Sequence, residues 1–422
     1  MAYISSTAEN DADTATQPVS RTYAWVVFAV CFGLLISDYM SRQVLNAVFP
    51  LLKAEWALSD ARLGLLSGIV ALMVGLLTFP LSLLADRWGR VRSLALMAGL
   101  WSLATLGCGL AQDYGQMFVA RFLVGVGEAA YGSVGIAVVL SVFPRHLRAT
   151  LAGAFMAGGM FGSVLGMALG GAIAAQVGWR WAFVGMAAFG MVLAAICPLV
   201  VRETPVAKCV GFRRTPLKTL FTGRALCATY VASGLQLFTG GACIVWMPSF
   251  LSRYYGMGAD RAGASAALVV LASGAGMILC GMLSDRLSRA AHARKAGLAA
   301  AYGLGSALLL GLAFALPHGA GQLALIGMGM FFAAGASGPA GAIVADLTPA
   351  VIHGTAFATL TLANNLVGLA PGPFVTGVLA DRFGLAGAFQ VLPLASLVSA
   401  AVFVYVRRHY AADAARLAAE RA

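Results

Sequence analysis

Twelve separate runs of apolar residues, each long enough to cross a bilayer, decide what this chain can become. They lie at about 23–49, 62–84, 93–111, 116–141, 149–177, 181–201, 225–251, 261–284, 296–316, 320–345, 355–380 and 386–406. A hydrocarbon layer of about 30 Å is crossed by roughly twenty helical residues. With no water in that layer, each backbone N–H and C=O must find its partner inside the protein, which leaves helices or closed barrels. Continuous apolar runs of this length read as helices. The expected fold is an all-α membrane protein of twelve transmembrane helices. Composition agrees: 10% of residues are charged, against about 25% in a soluble domain that must keep a polar skin.

The net charge of +12 would suggest nucleic acid in a soluble protein. Here its distribution points to a membrane instead, and no nucleic-acid partner is expected. With the N-terminus in the cytoplasm, 20 of the 28 Lys and Arg fall on the cytoplasmic side, six on the opposite side, and Arg42 and Arg121 lie inside spans. Basic loops stay on the cytoplasmic side, so both termini are expected there, in a bacterial inner membrane. The expected organisation is a cytoplasmic tail over 1–22, a six-helix bundle over 23–201, a basic cytoplasmic linker over 202–224, a second six-helix bundle over 225–406 and a tail over 407–422. The first twenty residues hold no Lys or Arg but do hold Glu9, Asp11 and Asp13. That is unlike a signal peptide, and the first apolar run is expected to stay as a helix.

The two halves repeat. After the second span comes Ser82-x-Leu84-Ala85-Asp86-Arg87-x-Gly89-Arg90, and after the eighth comes Gly281-x-Leu283-Ser284-Asp285-Arg286-x-Ser288-Arg289. A duplicated six-helix unit accounts for the same pattern at the same place in each half.

The loop G-x-L-a-D-R-x-G-R between spans two and three resembles the signature of the major facilitator superfamily. Asp86, Arg87, Gly89 and Arg90 match it, with Ser82 where the family prefers Gly, and the second copy keeps Gly281, Asp285 and Arg286. Arg121 followed by Gly125, Gly127 and Glu128 resembles the family's fourth-helix motif, and Gly158, Gly162, Gly166 and Gly170 mark the fifth span. The run Leu63-Gly64-Leu65-Leu66-Ser67-Gly68 is most like the Spinster-like transporters and the related anion:cation symporters. Those families usually place Asp-Arg together in helix one. Here Ser41 precedes Arg42, and the carboxylate is Asp38, one turn earlier. The resemblance implies two pseudo-symmetric six-helix bundles, with helices one, four, seven and ten lining a central cavity.

An ionisable group inside a span is a functional candidate because it costs several kcal/mol in hydrocarbon on most estimates. Asp38, Arg42 and Asn46 fall on one stripe of helix one, and Arg121 and Glu128, seven apart, on one stripe of helix four. By rise per residue the two arginines share one depth, roughly 8–10 Å from the outer end, and the two carboxylates a deeper one. Glu128, with Asp38, is the expected proton carrier, because a carboxylate that moves between a dry pocket and a guanidinium changes its hold on a proton. A proton moving inward gains about 2.3 kcal/mol per 100 mV. Arg42 and Arg121 offer planar forks for a carboxylate or phosphate. Gln43, Asn46, Tyr131, Gln236, Asn364 and Asn365 complete the expected substrate-binding set. The structural alternative is a static Arg121–Glu128 pair stapling two helices, and for the polar groups, satisfaction between helices.

Asp86, Arg87, Arg90, Asp285, Arg286 and Arg289 are expected to act as a conformational latch, each Asp docking on a neighbouring helix N-terminus where the dipole is positive. Such a latch would hold the cytoplasmic side shut and break on opening inward. No cofactor, metal site or enzymatic activity is expected: the seven cysteines form no C-x-x-C pair, and Gly125-x-Gly127-x-x-Ala130 lies inside a span with no preceding strand. The leading expectation is a monomeric secondary transporter working by alternating access, a proton-coupled symporter of a small organic anion. Export or flipping of an amphiphile such as a lysophospholipid or drug is the alternative, and a non-transporting membrane sensor is a third.

Overall fold

The computed structural model describes residues 20–144, 147–203, 220–288, 293–349 and 352–419. The linker over 204–219, Arg289 of the expected latch and most of the N-terminal tail lie outside the described residues.

Eleven helices are long and apolar enough to cross a membrane: Arg21–Trp56, Asp60–Trp88, Arg90–Leu110, Tyr114–Val142, Thr150–Val177, Trp179–Val200, Arg224–Tyr255, Ala259–Leu287, Arg294–Ala315, Ala320–Asp346 and His353–Leu417. The last runs for 65 residues, about 98 Å of helix and over three hydrocarbon layers deep. Gly384 breaks it, with φ 74°. Only glycine takes that region without steric cost, and the chain reverses there into the twelfth crossing. The expected twelve-span, all-helical fold is what the chain adopts.

The spans start and stop on local signals. The side chains of Ser20, Ser59 and Asp113 accept from the free N–H groups of Tyr23, Arg62 and Gln116, capping the first, second and fourth spans. The helix after Pro393 continues to Ala419, through residues read as a tail, and Asp413 on it accepts from the Ala225 N–H at 2.7 Å. Leucines cover the outside of the bundle, Leu199 being 84% exposed, as an apolar solvent permits.

An even number of crossings leaves both ends on one face, here termed the terminal face; the other is the far face. Three apolar cores show how the halves meet. One spans both halves and includes Phe49, Leu52, Leu63, Trp246, Phe250 and Phe389. The other two are confined to one half each: one around Trp101, Tyr131 and Phe155, the other around Tyr230, Ile343 and Phe403. The shared core lies toward the far face, and the two separate cores toward the terminal face. The halves therefore close on each other at the far face and part at the terminal face.

Close backbone approach makes that closure possible. A Cβ on Gly64 would meet the Pro373 carbonyl, one on Gly68 the Ala370 carbonyl and one on Gly171 the Ala259 carbonyl. These pair span two with eleven and span five with eight. Gly171→Val is expected to overpack the seam and cost about 1–3 kcal/mol. Thermal unfolding in detergent would show it as a lower midpoint, and an unchanged midpoint would contradict the seam.

Candidate functional site

The first and fourth spans bring their charged stripes together. Arg42 Nε lies 2.7 Å from Glu128 Oε2 and 3.3 Å from Asp38 Oδ1. Two carboxylates thus share one edge of one guanidinium. Both carboxylates are almost wholly buried, while the Arg42 side chain keeps 21% of its surface exposed. Its guanidinium also sits 5.2 Å from the centre of the Tyr39 ring, where a cation is attracted to the π face. Both Glu128 oxygens lack a hydrogen-bond donor in good alignment, so the ion pair is what holds that charge in a dry setting.

Local structure places Glu128 at an interruption. The fourth span is helical over Tyr114–Glu128 and again over Tyr131–Val142, with Ala130 at φ −110°, ψ 0° between them. Neighbouring hydroxyls bond carbonyls at the break, and the Ala130 carbonyl also accepts the Val134 N–H at 3.1 Å. Thr78 Oγ1 donates to the Ala129 carbonyl at 2.6 Å and Ser133 Oγ to the Ala130 carbonyl at 2.9 Å. The tenth span divides at the matching place, between Ala320–Gly335 and Ser337–Asp346, but there Ala336 keeps near-helical angles, φ −74° and ψ −17°. From the start of each span the breaks fall at matching depth, which the duplication requires. Broken helices at mid-membrane are where transporters place binding groups.

Arg121 does not join this cluster. It is 1% exposed. Its Nη1 donates to the Ser41 carbonyl at 2.9 Å and its Nε to the Leu66 carbonyl at 3.4 Å. The guanidinium ties spans one and two to span four, and the carboxylate on its own stripe pairs with Arg42 instead. Tyr131 is likewise inward: its hydroxyl donates to the Cys31 carbonyl at 2.5 Å, and its ring packs edge-on against Trp101. By sequence both are expected to meet a solute; the structure holds both side chains against backbone carbonyls. The reason is packing: both side chains bond backbone carbonyls that a sequence pattern does not locate.

The other expected contacts divide. Asn46 donates to Gln43 Oε1 at 2.6 Å and accepts from Ser67 at 2.7 Å, so it links spans one and two. Gln236 is buried with both amide atoms unpartnered. Asn364 and Asn365 open a π-helical turn, Asn364–Leu369, and each leaves its side-chain oxygen unpartnered. An extra residue per turn often marks a functional site, and sequence reasoning missed both this turn and the two helix breaks. Asp86 and Asp285 stand exposed at the terminal face, Asp86 at the end of span two pairing with Arg90 at the start of span three at 3.0 Å. Glu203 occupies the N-terminus of span three in their stead, accepting from Val91 at 3.1 Å. Arg87 and Arg286 are exposed beside them.

Replacing Arg121 by Leu would remove the two charge-assisted hydrogen bonds that join span four to the Ser41 and Leu66 carbonyls. A loss of about 2–4 kcal/mol is expected, read as a lower unfolding midpoint. Tyr131→Phe is expected to cost about 1 kcal/mol. Wild-type stability in the Arg121 variant would show that its carbonyl contacts are dispensable.

The chain was compared with known proteins. The most similar relatives include the "Probable L-galactonate transporter" of Escherichia coli (strain K12), 26% identical over 64% of this chain and 63% of that protein. The "Hexuronate transporter" of Bacillus subtilis (strain 168) is 23% identical over 90% of this chain and 94% of that one. "Protein spinster homolog 1" of Homo sapiens is 26% identical over 85% and 73%. Among solved structures, a bacterial homolog to the human lysosomal transporter Spinster, inward-facing and unoccupied, superimposes with a TM-score of 0.85 at 21% identity, covering 93% of this chain and 99% of that one. That likeness shows the shared fold. The family model for the Major Facilitator Superfamily matches residues 31–338, and the chain, an integral membrane protein, belongs to that superfamily of transporters.

Proposed function

We propose that this transporter is a proton-coupled symporter of a small organic anion, of the sugar-acid class, working as a monomer by alternating access with both termini in the cytoplasm. The observation that carries the reading is the Arg42 guanidinium shared by Glu128 and Asp38. An incoming carboxylate that takes the Nε edge displaces one of them from that cation. The displaced carboxylate is left buried and unpaired, at a cost of several kcal/mol. Taking up a proton removes the cost. Anion binding and protonation therefore favour each other, and the coupling is reciprocal. The names of the relatives that carry galactonate and hexuronate support the substrate class.

In this reading Arg42 binds the anion, Glu128 and Asp38 carry the proton, and Gln236, Asn364 and Asn365, with unpartnered amide atoms, select the solute by hydrogen bonds from the second half. Gln43 and Asn46 set the position of the first-span stripe. Arg121 and Tyr131 hold the spans in register. The terminal face is the cytoplasmic one, and the exposed Asp86 and Asp285 are the released state of the cytoplasmic latch.

Glu128→Gln is expected to abolish proton-driven accumulation in proteoliposomes while leaving substrate exchange; accumulation at the wild-type rate would reject Glu128 as the carrier. Arg42→Ala is expected to weaken anion binding by roughly 10- to 100-fold, the value of a lost charge-assisted contact. Because binding takes up a proton, affinity for the anion should rise as pH falls; calorimetric affinities that do not change with pH would exclude the coupling. The same purified protein distinguishes the amphiphile reading, which the resemblance to Spinster-like transporters allows: thermal stabilisation by lysophospholipids and not by sugar acids would replace the anion with a lipid.

A further inference from the structure

The far face carries a third copy of the loop signature. At the end of the eleventh span the chain reads Gly377-x-Leu379-Ala380-Asp381-Arg382-x-Gly384, the same eight-residue pattern found at the terminal ends of spans two and eight. The end of the fifth span holds its counterpart, closing on Gly178, but with Ala175 and Gln176 where the others have Asp and Arg. Backbone geometry supports the equivalence. Gly89, Gly178 and Gly384, the last position of three of these copies, have φ of 105°, 100° and 74°.

The third copy is engaged. Asp381 Oδ1 accepts from the Asp60 N–H at 2.7 Å and Oδ2 from the Ala61 N–H at 2.9 Å. A carboxylate on the second half thus caps the N-terminus of span two on the first half. The capped residue is itself a junction. The Asp60 carboxylate, 3% exposed, takes a two-pronged contact from Arg253 of span seven, at 2.6 and 2.8 Å, and Lys53 of span one at 2.6 Å. The hydrogen bonds and ion pairs described between the two halves converge on Asp60 and Ala61. Meanwhile Asp86 and Asp285, in the two copies on the terminal face, stand exposed.

We propose that Asp381 and the Asp60–Arg253 pair form a far-face latch, built from the same signature as the terminal-face loops and engaged in the opposite state. It holds the far face shut while the terminal face is open, and must release the span-two N-terminus for the far face to open. The latch is one-sided. The pseudo-equivalent contact, span five against the start of span eight, has Ala175 in place of the aspartate, and the Gly258 cap there offers no side chain. Release costs a capping contact and an ion pair that leave a buried carboxylate with Lys53 alone. This inference rests on alternating access but not on the identity of the solute or on proton coupling.

The test is a distance measurement on substrate-free protein in lipid nanodiscs. Spin labels go on cysteines at Gln176 and Arg261, exposed at the far ends of spans five and eight, in a chain freed of its own cysteines. Asp381→Ala is expected to raise the long-distance, far-face-open population roughly fivefold, the size of one lost cap, and Arg253→Gln to raise it in the same direction. Asp381→Asn, which keeps one accepting oxygen and the side-chain shape, should give a smaller rise and covers the case in which the alanine variant does not fold. A cap that serves stability alone would lower the unfolding midpoint without moving the populations. Unchanged populations in these variants would overturn the latch. A single short distance in the wild type and in every variant would overturn the alternating-access reading beneath it.

Discussion

The hydrocarbon around this bundle offers no partner to a polar group, and much of the structure follows from that lack. Backbone groups are satisfied within helices, and where a helix breaks after Glu128, the Thr78 hydroxyl donates to the Ala129 carbonyl. Arg121 bonds carbonyls of two neighbouring spans. The Arg42 guanidinium gathers both carboxylates within reach. Each arrangement lowers the cost of a polar group that the spans would otherwise exclude.

The same constraint separates scaffold from site. A buried guanidinium whose bonds go to backbone carbonyls cannot leave them without losing its own acceptors, which holds Arg121 in place. The bonds of Arg42 go instead to two side-chain carboxylates, and in the proposed cycle these are the partners it exchanges. The exposure of Arg42 against the burial of Arg121 follows the same division. At the seam the logic is mechanical: one shared apolar core toward the far face joins the halves, and two separate cores toward the terminal face leave them apart.

The network at Asp60 gives that contact direction. Apolar packing between glycine-lined helices is tolerant of sliding, whereas a two-pronged arginine–carboxylate contact and a capped helix end are tolerant of very little. Asp60, Arg253 and Asp381 lie 193 and more positions apart in pairs across the halves, which is why they went unnoticed as a unit although each stands at the end of a span.

Sequence alone determined the helices, their number, the duplication and the charged stripes on spans one and four, because the requirement for about twenty apolar residues per crossing and the 3.6-residue period are local properties. It also placed Arg42, Asp38 and Glu128 at depths that let them meet. Only the tertiary structure decided which partner each charge took. Arg42 pairs with Glu128 across two spans, Arg121 turns to carbonyls, Tyr131 turns inward to Cys31, and Asp381 finds the N-terminus of span two. Partner choice depends on which helix faces lie together and which carbonyls stand free, and neither is written in the spacing of one span. The breaks at Ala130 and Ala336 and the π turn at Asn364 stayed hidden for the same reason: apolar periodicity continues through them, and it is the neighbouring spans that make the interruption affordable.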